Sequence, residues 1–191
     1  MKKSNPKEQA IRSTVIRLFN QESFTAVGMD RIIADSGVSK MTVYKYFSSK
    51  ENLIVECLQF LHREMEQSLL DQINYRTSPQ SRLETTYFWY MDLILNINFK
   101  GDLFQKARTE LLPHYPSIQP ILDLHRDWFC QHTLALFEQL NLEEPQSFTQ
   151  LFISILEGMM SDATSNQEMI NPQKTWNFIQ TLIDLEGVRN K

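Results

Sequence analysis

The sequence predicts an all-α protein of about nine helices, a three-helix N-terminal head followed by a larger helical body. Only 5 Gly and 7 Pro interrupt 191 residues, too few for a turn-rich sheet protein. Apolar residues recur three and four apart over long stretches instead of alternating. The breaks between those stretches are helix punctuation: Pro6, Ser36-Gly37, Gly101-Asp102, Glu143-Glu144-Pro145 and Pro172.

A first helix is expected over about 6–22, with Pro6 at its start and Ile11, Val15, Leu18 and Phe19 on one face. Met29, Ile32 and Ile33 give a second, short helix its apolar side. Ser36-Gly37 ends it, because Gly tolerates the left-handed backbone that follows a helix C-terminus. Val38 can fill the gap between helices, and Ser39 can cap the next. That third helix, 40–47, buries Val43 and Phe47 and shows Lys40, Thr42, Tyr44, Lys45 and Tyr46. Cationic, hydroxyl and phenolic donors on a helix short enough for the DNA major groove suit phosphate and base-edge contacts. The pair is read as a helix-turn-helix.

Ser48-Ser49-Lys50-Glu51 reads as a capping box with Ser48 as the N-cap, opening a long fourth helix. Leu53, Ile54, Cys57, Leu58, Leu61, Met65 and Leu69 carry its stripe to about residue 73, making it a rigid lever between head and body. A loop over 74–80 precedes an aromatic-rich helix over 81–99, then a short helix carrying Leu103, Phe104, Ala107, Leu111 and Leu112. Pro113, Pro116 and Pro120 mark a kinked stretch before a helix that ends near Leu140. Two last helices are expected over about 146–161 and 172–186. The domain boundary is placed between 52 and 53, giving a DNA-binding domain of 1–52 and an effector-binding and dimerisation domain of 53–191.

The net charge of −4 argues against a nucleic-acid binder until its distribution is examined. Residues 1–50 hold nine Lys/Arg against four Asp/Glu, +5, whereas residues 51–191 hold ten against nineteen, −9. A basic head on an acidic body presents one end to phosphate. Lys2, Lys3 and Lys7 could form an arm that adds phosphate contacts or could serve solubility alone. No apolar run approaches the roughly 18 residues of a membrane span, and MKKSNPKEQ lacks a signal peptide's apolar stretch, so a cytoplasmic protein without membrane contact is expected. Cys57 and Cys130 are expected to be reduced thiols, a redox switch being the alternative.

Leu18-Phe19, Phe24, Ile32, Ala34, Ser36-Gly37-Val38-Ser39-Lys40, Thr42, Tyr44, Tyr46-Phe47, Ser49-Lys50-Glu51 and Leu53 stand in an order and spacing that resembles the tetracycline-repressor (TetR) family of bacterial one-component regulators. The resemblance covers about the first 55 residues. Met41 departs from it, standing where a small residue or Pro is more usual, and so does Val27-Gly28, which replaces a common Thr/Ser cap. The resemblance implies that Lys40, Thr42, Tyr44, Lys45, Tyr46 and Lys50 contact double-stranded, palindromic operator DNA. It also implies nine helices, a homodimer built through the last two, and an unidentified small-molecule effector that spreads the heads and lowers DNA affinity. Repression is the default outcome.

In the last two helices, Phe148, Leu151, Phe152, Ile155, Leu156 and Met159, and then Trp176, Phe178, Ile179, Leu182, Ile183 and Leu185, are apolar on more than one side. A second apolar face needs either a deep place in the chain's own core or a partner copy. Phe148, Leu151, Phe152, Ile155, Met159, Trp176, Ile179, Leu182 and Ile183 are taken as interface candidates. Phe88, Trp89, Phe104, Tyr115, His125, Trp128 and Phe129 are taken as candidate walls of an effector pocket, though aromatics at helical spacing also suit plain core. His125 and His132 lie seven apart, roughly 10.5 Å along a helix, too far to share one metal without a bridging residue, and no metal or cofactor is expected. No HExxH, GxSxG, P-loop or dinucleotide fingerprint suggests an enzyme. The alternative function is an effector-binding helical dimer that acts through a protein partner without reading a specific operator.

Overall fold

A computed structural model describes residues 5–189 and side chains through Glu186; the expected arm residues Lys2 and Lys3 lie outside the described residues. Among these residues there are nine α-helices and no strand: α1 (Pro6–Gln21), α2 (Met29–Ser36), α3 (Lys40–Tyr46), α4 (Lys50–Ile73), α5 (Pro79–Ile94), α6 (Leu103–Glu110), α7 (Gln119–Gln139), α8 (Pro145–Ser165) and α9 (Pro172–Arg189). The chain divides into two compact units, one of residues 5–64 with 102–125, the other of 65–101 with 126–189. That packing division differs from a cut between 52 and 53, which falls inside α4.

In the first unit, Asn5 caps α1 by accepting the Lys7 N–H at 3.0 Å, and Pro6 occupies the first turn. Ile11, Val15, Leu18 and Phe19 of α1 are buried, as are Phe24, Val27, Ile32, Val43, Phe47, Leu53 and Ile54 of the same unit, and the Phe19 and Phe24 rings lie 4.3 Å apart. Gly37 follows α2 at φ +64°, the left-handed position a side chain would strain. Ser39 caps α3, its oxygen accepting the Thr42 N–H.

The α4 cap is Ser49 rather than Ser48. Ser49 Oγ accepts the Asn52 N–H at 3.0 Å, while Asn52 Oδ1 reaches back to the Ser48 N–H at 3.3 Å. The cap therefore sits one residue later than expected, and the Asn52 amide, not Glu51, accepts the Ser48 N–H just ahead of the cap.

In the second unit, α5, α7, α8 and α9 contribute a core of Tyr87, Phe137, Phe152, Leu156 and Trp176. Ser78 caps α5, which stops at Ile94 instead of reaching residue 99. Asn96 is the physical reason: its side chain accepts the Asn98 N–H at 2.9 Å and its carbonyl accepts the Phe99 N–H at 2.8 Å, so a turn competes successfully with the helix. Ile97 is left 87% exposed, and Gly101 turns the chain at φ +101°. A second cluster packs Trp89 on Leu69 and Ile73, with the Trp89 indole N–H donating to Ser68 Oγ at 3.2 Å. Among the described residues no helix is long and apolar enough to cross a membrane.

Candidate nucleic-acid interface

At roughly 100° per residue, Met41 and Lys45 lie opposite the buried Val43 of α3 and Phe47, which caps its end. Thr42 and Tyr44 lie on the flanks, and Lys40 sits at the start of the helix, its side chain 68% exposed. Tyr44 is exposed; Tyr46 is half-buried, its ring 6.4 Å from that of Phe47. Thr42 Oγ1 shares a hydrogen bond with Ser39 Oγ at 2.9 Å, which ties it to the cap. Lys40 Nζ lies 3.8 Å from Asp30 Oδ1, a solvated pair that costs little to trade for a phosphate.

Lys50 is placed differently from the other cations. Its ammonium donates to the Phe24 carbonyl at 2.6 Å, and burial lowers its pKa while the nearby Glu110 opposes that shift. An ammonium has three hydrogens, so one can hold the Phe24 carbonyl while another meets a phosphate.

The segment linking α1 to α2 is held from α6. Lys106 Nζ donates to the Phe19 carbonyl at 2.7 Å and to the Glu22 carbonyl at 2.9 Å, satisfying carbonyls at the end of α1. Glu110 accepts the N–H of the buried Phe24 at 2.7 Å. Ser117 further donates to Glu51. On the other side, Asp35 accepts from Arg17 at 3.1 Å and Arg31 at 3.0 Å, and these bonds hold its carboxyl below the usual range. No local pattern in the sequence announces Lys106 or Glu110. Glu110→Gln, which keeps an acceptor and removes the charge, is expected to lower stability by about 1 kcal/mol in urea unfolding.

Residues 11–57 match the sequence model of the family described as "Bacterial regulatory proteins, tetR family". The head is a tetR-family domain. The uncharacterized HTH-type transcriptional regulator YerO of Bacillus subtilis (strain 168) is 36% identical over 56 residues, 29% of this chain and 19% of that protein. The match thus spans about a fifth of that relative's length. A TetR-family transcriptional regulator from Streptomyces coelicolor superposes with a TM-score of 0.79 at 20% identity, over 93% of this chain and 92% of the other. A transcriptional regulator from Pseudomonas aeruginosa PAO1 gives 0.81 at 14%, over 97% and 93%. At those identities the likeness is one of fold alone, and it takes in the helices that follow the head as well as the head.

The seven pocket candidates fall into both units. In the first, Phe104 stacks on His125 with ring centroids 3.6 Å apart, and Tyr115 precedes the short turn leading to α7. His125 Nδ1 meets His62 Nδ1 at 3.2 Å, and His62 is 6% exposed. The sequence reading overlooked His62. The available signal was its place in the α4 stripe, four residues after Leu58 and seven before Leu69. In the second unit, Trp89, Trp128 and Phe129 pack ring against ring, and Phe88 packs on Tyr87 and Trp176. His132 Nε2 lies 3.0 Å from Thr86 Oγ1, whose single proton goes to the Arg82 carbonyl, so the imidazole is the donor.

Five of the nine interface candidates, Phe152, Met159, Trp176, Ile179 and Ile183, belong to the chain's own core. This face of α8 and α9 packs against α5. Leu151 and Leu182 are exposed, Phe148 and Ile155 half-buried. Phe178 and Leu185, each 61% exposed, share the Leu182 face of α9 and were passed over. Burial raises the Cys57 thiol to about 12, which keeps it protonated at neutral pH; the Cys130 thiol is raised as well.

Proposed function

We propose that the chain is a sequence-specific, DNA-binding transcriptional regulator, a repressor, whose paired copies place two α3 helices in the major grooves of a palindromic operator. The observation that carries this is the outward surface of α3, with Lys40, Thr42, Tyr44 and Lys45 displayed around buried Val43 and Phe47 in a tetR-family domain. Functionally, residues 1–52 read DNA and 53–191 pair and sense, in the cytoplasm. Pairing is supported by the apolar surface that α8 and α9 leave in water: Leu151, Phe178, Leu182 and Leu185. A small apolar or aromatic effector is proposed to engage the aromatic groups around Phe104, Tyr115 and His125 or around Phe88, Trp89, Trp128 and Phe129. It releases DNA by favouring the spacing of heads that does not match the operator.

Titration of labelled duplex in a gel shift tests the reading. Lys45→Ala is expected to weaken binding about tenfold on every sequence and to reduce the slope of log affinity against log salt by about one. Lys40→Ala is expected to lose a similar factor and to relax base preference as well. Unchanged affinity in both variants would remove α3 from the interface.

A further inference from the structure

We infer that Met41 is a specificity-determining residue that selects thymine, through its 5-methyl group, at one position of each operator half-site. The inference rests on the DNA-reading role proposed above. Met41 is 83% exposed although it is a large apolar side chain on a seven-residue helix. Helix geometry puts it with Lys45 at the centre of the surface facing away from Val43 and Phe47, so it stands on the side of α3 turned to solvent. Lys40 and Lys45 flank it, and both are exposed. Cations on either side of an apolar tip complement a groove whose walls are phosphate and whose floor presents base edges.

The chemistry of that floor narrows the occupant. Adenine, guanine and cytosine present nitrogen and oxygen donors or acceptors in the major groove, which a thioether satisfies poorly. Thymine alone adds a methyl group. An unbranched side chain with three rotatable bonds can settle on that methyl and take both surfaces out of water. Against another base the same side chain would cover a polar edge without pairing it.

The test uses the full chain and an operator selected from a random duplex pool. Each thymine of that operator is replaced, one at a time, by deoxyuridine, which removes the methyl and keeps the pairing. The unsubstituted protein is expected to lose about fourfold in affinity at one thymine per half-site, the worth of one buried methyl. Met41→Ala, a change at an exposed position, is expected to bind the thymine and uracil duplexes equally while remaining folded. Full discrimination at every thymine by Met41→Ala, or none by the unsubstituted protein, would overturn the inference while leaving operator binding intact. Failure to select any duplex, including capture of only a protein partner through this face, would overturn both readings.

Discussion

Arg12→Ala is expected to lower the stability of the head by about 2–3 kcal/mol in urea unfolding. Arg12 lies on α1 with its side chain only 12% exposed. Its Nη2 meets Glu8 at 2.6 Å on the same helix and Glu56 of α4 at 3.4 Å. Its guanidinium carbon stands 6.0 Å from the Phe47 ring centroid and 5.6 Å from that of Phe60. One side chain therefore joins α1, the end of α3 and α4. Breaking a fully buried pair costs about 3–5 kcal/mol, and the partial exposure of Glu8 and Glu56 reduces that figure. The lost ring contacts add about 0.5–1 kcal/mol each at such sites. Arg12→Met separates packing from charge. It keeps an unbranched stem between the two rings and removes Nε, which is buried without a hydrogen-bond partner. Methionine is thus expected to recover all but about 1 kcal/mol. Equal losses in both variants would place the effect in the ion pairs alone.

Acidification from pH 7.5 to 5 is expected to cost about 1–2 kcal/mol of stability. His125 is stacked on Phe104 and bonded to His62, and burial, with the neighbouring His62 adding to it, lowers its pKa to about 3. Two imidazoles joined Nδ1 to Nδ1 need one donor and one acceptor, an arrangement open only while the acceptor ring stays neutral. Below about pH 6.5 the unfolded chain binds a proton that the folded chain refuses. The stabilisation is therefore complete above that value and is lost progressively as pH falls toward 3. Burial lowers the pKa of His132 too, so it acts in the same direction. Urea midpoints across that range check the slope. His125→Gln is expected to be less stable at pH 7.5 but to show a flatter dependence; an unchanged slope would assign the loss to other groups.

The head was legible because its chemistry is local. Gly37 and Ser39 spell a turn and a cap within three residues, and Val43 and Phe47 give α3 its inner side. Ser48-Ser49 offered two overlapping boxes, and sequence alone favoured Glu51 over Asn52. The overrun of α5 had a similar origin: Leu95, Ile97 and Phe99 prolong an apolar run whose end is decided by the Asn96 turn. Long-range partners left no such trace. Lys106 and Glu110 reach main-chain atoms more than 80 residues away, and His62 meets a ring 63 residues on. For α8 and α9, two apolar sides were visible, but not which of them the chain would keep for itself. Trp176 and Ile179 turned inward, while Phe178 and Leu182 stayed in water.

Incubating the full chain with a pool of random duplexes at low ionic strength, and sequencing what is retained, tests the outward surface of α3 most directly. Enrichment of an inverted repeat, with affinity that falls steeply as salt is raised, is the expected result. A pool recovered without enrichment, or no retained duplex at all, would contradict a DNA-reading head.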